Sequence, residues 1–153
     1  MRRHKRQPWH TDVRARLRFE GGARSRHPGL TSSSTGRRYG AIVTYHLTVA
    51  VPEYESRRVT IELVNGYKPR GAKVIVDGLQ DSPHRYDDGS LCMWHPCDPD
   101  GQRWVGSDGL AALITHVRIH LFKEAYWRET GEWLGPEAPH QAEKERDHQE
   151  DSE

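Results

Sequence analysis

The chain has 153 residues, 34% of them hydrophobic and 29% charged, with a formal net charge of +1. That length supports one domain with its own core, and the opposite charges of its two ends disfavour nucleic acid as the partner. The balance conceals opposed ends: Met1–Arg38 carries eleven Lys/Arg against Asp12 and Glu20, and Glu137–Glu153 carries seven acids against Lys144 and Arg146.

Such ends read as solvated or docking segments. The expected organisation is a basic arm over 1–8, a folded domain over 9–140 and an acidic tail over 141–153, disordered or marginally helical. No apolar run follows the basic start, so neither an export leader nor a membrane span is expected. The expected compartment is a reducing cytoplasm, with both cysteines as thiols.

In chain order, "WHTDVRARLRFEGG" predicts a short helix. Thr11 or Asp12 caps it, Val13 and Leu17 share its apolar face, and Gly21-Gly22 ends it. "RSRHPGLTSSSTGRR" reads as a loop. Strands follow: "VTYHLTVAV" alternates with Val43, Tyr45, Leu47, Val49 and Val51 inward, and "RRVTIELV" with Val59, Ile61 and Leu63 inward. "AKVIVDGL" adds a third strand through Val74 and Val76, and short connections make an antiparallel meander the economical arrangement. After Gly106 the period becomes helical, with Leu110, Leu113, Ile114, Val117 and Leu121 on one stripe. Ser107 or Asp108 caps this helix, and it runs to about Arg128 before "TGEWLG" breaks it. The whole is an α+β pattern, with an irregular cysteine-bearing segment between sheet and last helix.

That segment, "SPHRYDDGSLCMWHP", concentrates the chemistry. Cys92 has three readings. It is a small buried hydrophobe between Leu91 and Met93. It is a zinc ligand with His95, Cys97 and His84, although three candidates crowd into six residues. Or it is a nucleophile, supported by His84, Arg85 and His95, since a thiol suits acyl transfer to amines. His116 and His120 stand four apart on the helix, but with no third ligand evident they read as polar-face residues.

The spacing resembles the ubiquitin-conjugating enzyme family. That family carries His-Pro-Asn shortly before its cysteine and a Gly-x-Ile/Val-Cys-Leu step; here Ser82-Pro83-His84 and Gly89-Ser90-Leu91-Cys92-Met93 occupy those slots. Tyr67, Val74, Trp104 and the helix from Leu110 fall where the family has its turn, strand, tryptophan and long helix. "YDDGSLCMWHP" and "EAYWRETGEWLG" are closer still to a bacterial branch encoded in anti-phage (CBASS-type) operons beside a cyclic-oligonucleotide synthase related to cGAS.

The resemblance implies a ubiquitin-conjugating-enzyme-like fold, an antiparallel meander flanked by helices. It implies a thioester on Cys92 with the C-terminal glycine of a protein, then release of that group to a target lysine. The glycine-terminated partner would be the cGAS-like nucleotidyltransferase or a ubiquitin-like protein, with or without an activating enzyme; no cofactor, metal or membrane is implied. His84 would take the place of the family's Asn, donating to the oxyanion or accepting the amine's proton. Tyr86 would wall the incoming lysine, with Asp87 and Asp88 beside it, although Asp-Asp-Gly equally makes a turn. His95 would support the thiolate or pack under Trp94. Trp127, Trp133 and Tyr126 read as core or lid aromatics. A non-catalytic binding module of the same shape is the alternative, and a small zinc domain stands behind it.

Overall fold

The computed structural model describes residues 8–36, 41–64, 70–94, 98–99 and 101–135. The acidic tail, the basic arm except Pro8, and the turn containing Tyr67 lie outside the described residues, as do His95 and Cys97.

Helix α1 (Val13–Glu20) starts where Asp12 supplies an acceptor: its Oδ1 takes the N–H groups of Arg14 at 2.9 Å and Ala15 at 3.2 Å. Gly21, at φ 41°, ends it. The helix exists as expected, but its inward face does not. Val13 and Leu17 are 70% and 65% exposed, whereas Phe19 and Glu20 are buried. Phe19 meets the buried Trp9 edge-on at 4.7 Å and lies near Tyr45 and Trp104. An aromatic cluster of this kind outweighs two aliphatic side chains on a helix only two turns long. Glu20 accepts from Arg16 at 2.7 Å, Arg24 at 2.5 Å and the Tyr45 hydroxyl at 2.9 Å. Burial pushes its carboxyl up, but the hydrogen bonds from Arg24, Arg16 and Tyr45 outweigh that and hold it below the usual range.

The stretch expected as a loop contains a single-turn helix α2 (Ala23–Arg26) and a strand β1 (Thr31–Ser34). "TSSS" has no hydrophobic alternation to announce a strand. It is held by pairing, from Thr31 opposite His46 to Ser34 opposite Val43. The meander therefore has four strands, in the order β1, β2 (Ile42–Val49), β3 (Arg57–Val64) and β4 (Arg70–Val76), every pair antiparallel.

Period two decides the faces. Val43, Tyr45, Leu47 and Val49 are buried with Val59, Ile61, Leu63, Val74 and Val76, while His46 and Thr48 face outward. A short 3₁₀ turn at Gly106–Asp108 leads into α3 (Gly109–Thr130). The Asp108 carboxylate accepts the Val105 N–H at 2.9 Å, and the Trp104 indole donates to Gly109 O at 2.8 Å. Leu110, Leu113, Ile114, Val117 and Leu121 join the sheet's inner side chains in one core, each contributing about 1.5–3 kcal/mol by burial. Gly131 closes α3 in the left-handed conformation at φ 80°, its N–H bonded to Trp127 O at 2.8 Å.

Candidate functional site

The segment after β4 returns to the sheet and then doubles on itself. Leu91 N–H donates to Val74 O at 2.9 Å, tying the cysteine's neighbour to β4. Arg85 and Leu91 form an antiparallel bridge, Tyr86 N–H donates to Ser90 O at 2.9 Å, and Cys92 N–H donates to His84 O at 3.1 Å. Tyr86 to Gly89 make the reversal, with Gly89 at φ 85° where a side chain would be strained. The hairpin thus sets His84 directly against Cys92 and brings Tyr86 over it.

Asp88 is the structural acid of this turn. Its Oδ1 accepts from Ser90 N–H at 2.9 Å and Ser90 Oγ at 2.5 Å, and its Oδ2 meets Lys73 Nζ at 3.1 Å. The Ser90 hydrogen bonds, with Lys73, draw its carboxyl down to about 2. Asp87 stands exposed at the tip.

Cys92 is 3% exposed. Burial pushes its thiol up, and a hydrogen bond with the Tyr86 hydroxyl draws it partly back. The Tyr86 phenol is itself pushed up to about 12, by burial first and then by Cys92. At neutral pH the pair therefore rests as thiol and phenol, with the hydroxyl of the exposed Tyr86 side chain hydrogen-bonded to the sulfur.

His84 is also buried, and its ring packs against Trp133 at a centroid distance of 4.3 Å. Trp133 reaches it because Gly131 turns the chain back after α3. The same indole touches His120 at 5.4 Å. His120 is not the polar-face residue that its spacing from His116 suggests: it is buried, and its Nε2 lies 3.2 Å from His84 O. Burial first, then the neighbouring His84 and Arg85, lowers its imidazole to about 3, so it is neutral and donates to that carbonyl. His116 does lie outward, edge-on to Trp94 at 5.5 Å.

Beneath the hairpin runs an ion pair. Arg85 forks onto Glu124 with two bonds of 2.9 Å, the Arg85 side chain 5% and the Glu124 side chain 0% exposed. Arg85 also donates to Gly89 O at 3.0 Å and Gln80 Oε1 at 2.8 Å. Arg128 adds Asp81 O at 2.9 Å and Glu124 at 3.5 Å. Together these bonds rivet the loop to α3. Arg85, expected to lend positive charge to the thiol, is committed to Glu124 instead. The clue in the sequence is the position of Glu124, three residues beyond Leu121 on the buried stripe, where an acid needs a partner.

The described part of the site therefore unites Cys92, His84, Tyr86 and Asp88; Trp133, read from the sequence as a core or lid aromatic, covers His84, and His120 and Glu124 are supports that motif reading missed. Among the described residues, no cluster of three His, Cys, Asp or Glu side chains is placed to hold a metal. None of the described helices is long and apolar enough to cross a membrane.

An α+β domain that presents one cysteine on a hairpin braced by its long helix is the frame expected of a conjugating-enzyme-like protein. The comparison of families agrees: the model of the type II CBASS E2 protein matches residues 18–141, and the chain belongs to that family. Membership supports a conjugating-enzyme-like role in anti-phage defence, among other CBASS proteins. Neither a curated protein nor a solved structure matches the chain.

Proposed function

We propose that the domain has the ubiquitin-conjugating-enzyme-like fold and that Cys92 is an acyl carrier. The observation that carries the reading is the hairpin itself. One backbone hydrogen bond joins the His84 and Cys92 positions, and the Tyr86 hydroxyl reaches the sulfur.

The Cys92 thiolate attacks the activated C-terminal glycine carbonyl of a partner protein, and the donor's leaving group departs as the thioester forms. A target lysine amine then attacks that carbonyl. The tetrahedral oxyanion collapses, the C–S bond breaks, the isopeptide bond forms and the ammonium proton is lost to a base. His84 is the proposed partner of that step, as donor to the oxyanion or acceptor of the proton, once Trp133 shifts from its ring. Tyr86 and Asp87 line the lysine's approach, and Asp88 holds the turn that presents them. His95 is proposed as further support for the thiolate. The partner best matched to CBASS membership is a cGAS-like nucleotidyltransferase with a C-terminal glycine.

The raised thiol and its 3% exposure favour the alternative of a binding module, and they define what must change on catalysis. The arriving partner has to displace the Tyr86 ring and stabilise thiolate. The test is a non-reducing gel of the chain with the glycine-terminated partner, any activating enzyme and ATP. A dithiothreitol-sensitive adduct is expected for wild type and Cys97→Ala and not for Cys92→Ala. No adduct in wild type with any CBASS partner leaves the binding module standing.

A further inference from the structure

On the β1 side of the sheet, across from the strand that bonds Leu91, the described residues leave part of β2 uncovered. β2 runs from Ile42 to Val49, but β1 covers it only as far as His46, opposite Thr31. Ahead of Thr31 the chain turns away through Pro28 and Gly29, with Leu30 N–H bonded to His27 O at 2.9 Å. Thr35 N–H bonds to Ile42 O at 3.0 Å, which sets the alternation: Ile42, Thr44, His46 and then Thr48 direct their peptide groups toward the β1 side. At Thr48 no strand among the described residues stands there. Its N–H and C=O therefore open into a notch of roughly 810 Å³, which wraps over the edge from the outer sheet face to α3.

The notch is basic on both sides. Arg26, His27 and Arg118 stand on its inner side, and His46 and Arg58 on its outer side. Among the described residues of the lining the single acid is Asp77, already paired with Arg58 at 3.3 Å and Arg57 at 3.6 Å. Burial lowers the His27 imidazole, and the positive charges of Arg118 and Arg26 lower it further.

We propose that this notch is a docking site for an extended acidic peptide segment of a partner protein, which adds to β2 in the line that β1 leaves vacant. Backbone pairing to Thr48 supplies the register. Side chains of an extended strand alternate between two faces, so the acids of one face meet Arg118 and Arg26. A basic peptide is repelled by the same groups. The site is independent of the chemistry at Cys92.

The test uses the full chain and a fluorescein-labelled hexapeptide of alternating Glu and Val, with the Lys/Val counterpart as control. Anisotropy should rise with the Glu/Val peptide alone, and the response should weaken with added salt. Arg26→Glu with Arg118→Glu should weaken binding by roughly tenfold or more. Hydrogen exchange at the Thr48 amide should slow at saturating Glu/Val peptide, while amides on β4 stay unchanged. Circular dichroism checks that the double variant folds, and Arg118→Gln replaces it if it does not. Equal binding of both peptides, affinity unchanged by the arginine substitutions, or Thr48 exchange unaffected by bound peptide would each overturn the proposal.

Discussion

Replacing Glu124 by Ala would remove the acid that neutralises Arg85 and Arg128 beneath the hairpin. Arg85 makes two 2.9 Å bonds to it, and the two side chains are 5% and 0% exposed, so neither is screened by water. Breaking such a pair from one side leaves a buried cation, at a cost of about 3–5 kcal/mol. For a domain of this size each kcal/mol corresponds to about 3–4 °C, so the midpoint should fall by roughly 10–20 °C. Urea melts followed by tryptophan fluorescence measure the loss directly. The reasoning makes a second demand. Arg85→Met combined with Glu124→Leu removes both charges and fills the space, so the double variant should recover most of the loss. A single variant that loses less than about 1 kcal/mol, the range of exposed pairs, would refute the buried-pair account. A double variant that stays as unstable as Glu124→Ala even after Arg128→Met removes the remaining cation would also refute it, because the defect would then be packing and not charge.

Three further outcomes follow from the same site. His120 is neutral in the fold, with its imidazole lowered to about 3 from an ordinary 6.5. The unfolded chain takes up that proton first, so its contribution is complete above pH 6.5 and is lost as pH falls toward 3, by up to about 1.4 kcal/mol per unit. Urea melts of His120→Gln at neutral pH and near pH 5 should show a flatter dependence than wild type; parallel curves would contradict the neutral buried imidazole. In a Cys97→Ala background, iodoacetamide should alkylate Cys92 with a pH midpoint above that of a cysteine in an unstructured peptide. Tyr86→Phe should move that midpoint higher still, and a midpoint moving lower would count against the hydroxyl–thiol bond. Gly89→Ala should cost about 1–3 kcal/mol, because φ is 85° there and the added carbon would stand 3.0 Å from Gln80 Oε1. Denaturant midpoints within error of wild type would mean that the turn relaxes freely.

What the sequence disclosed depended on periodicity. Tyr45, Ile61 and Leu113 belong to regular alternations, and their strands and helix lie where the pattern places them. β1 has no such signal: four consecutive hydroxyl residues become a strand only because β2 offers unpaired backbone. α1 misleads for a related reason. Its two aliphatic residues share a face, yet one aromatic, Phe19, decides which side packs. At the site, the motif located the hairpin from His84 to Cys92, because glycine, serine and cysteine positions are local facts. Arg85 and Glu124 are 39 positions apart, and His84 meets Trp133 only after α3 has been closed by Gly131. Contacts of that kind arise from tertiary placement, and no local pattern encodes them.

The left-handed turn at Gly131 has a practical meaning for anyone handling the protein. By seating Trp133 on His84, it makes the chain leave the described domain at Gly135 beside the cysteine hairpin. An affinity tag or fluorescent protein joined directly at that point would stand beside the cysteine hairpin. Trp133 itself offers a native optical probe of this hairpin: its indole is tilted against the His84 imidazole, and its signal among the chain's five tryptophans is isolated as the difference from Trp133→Phe.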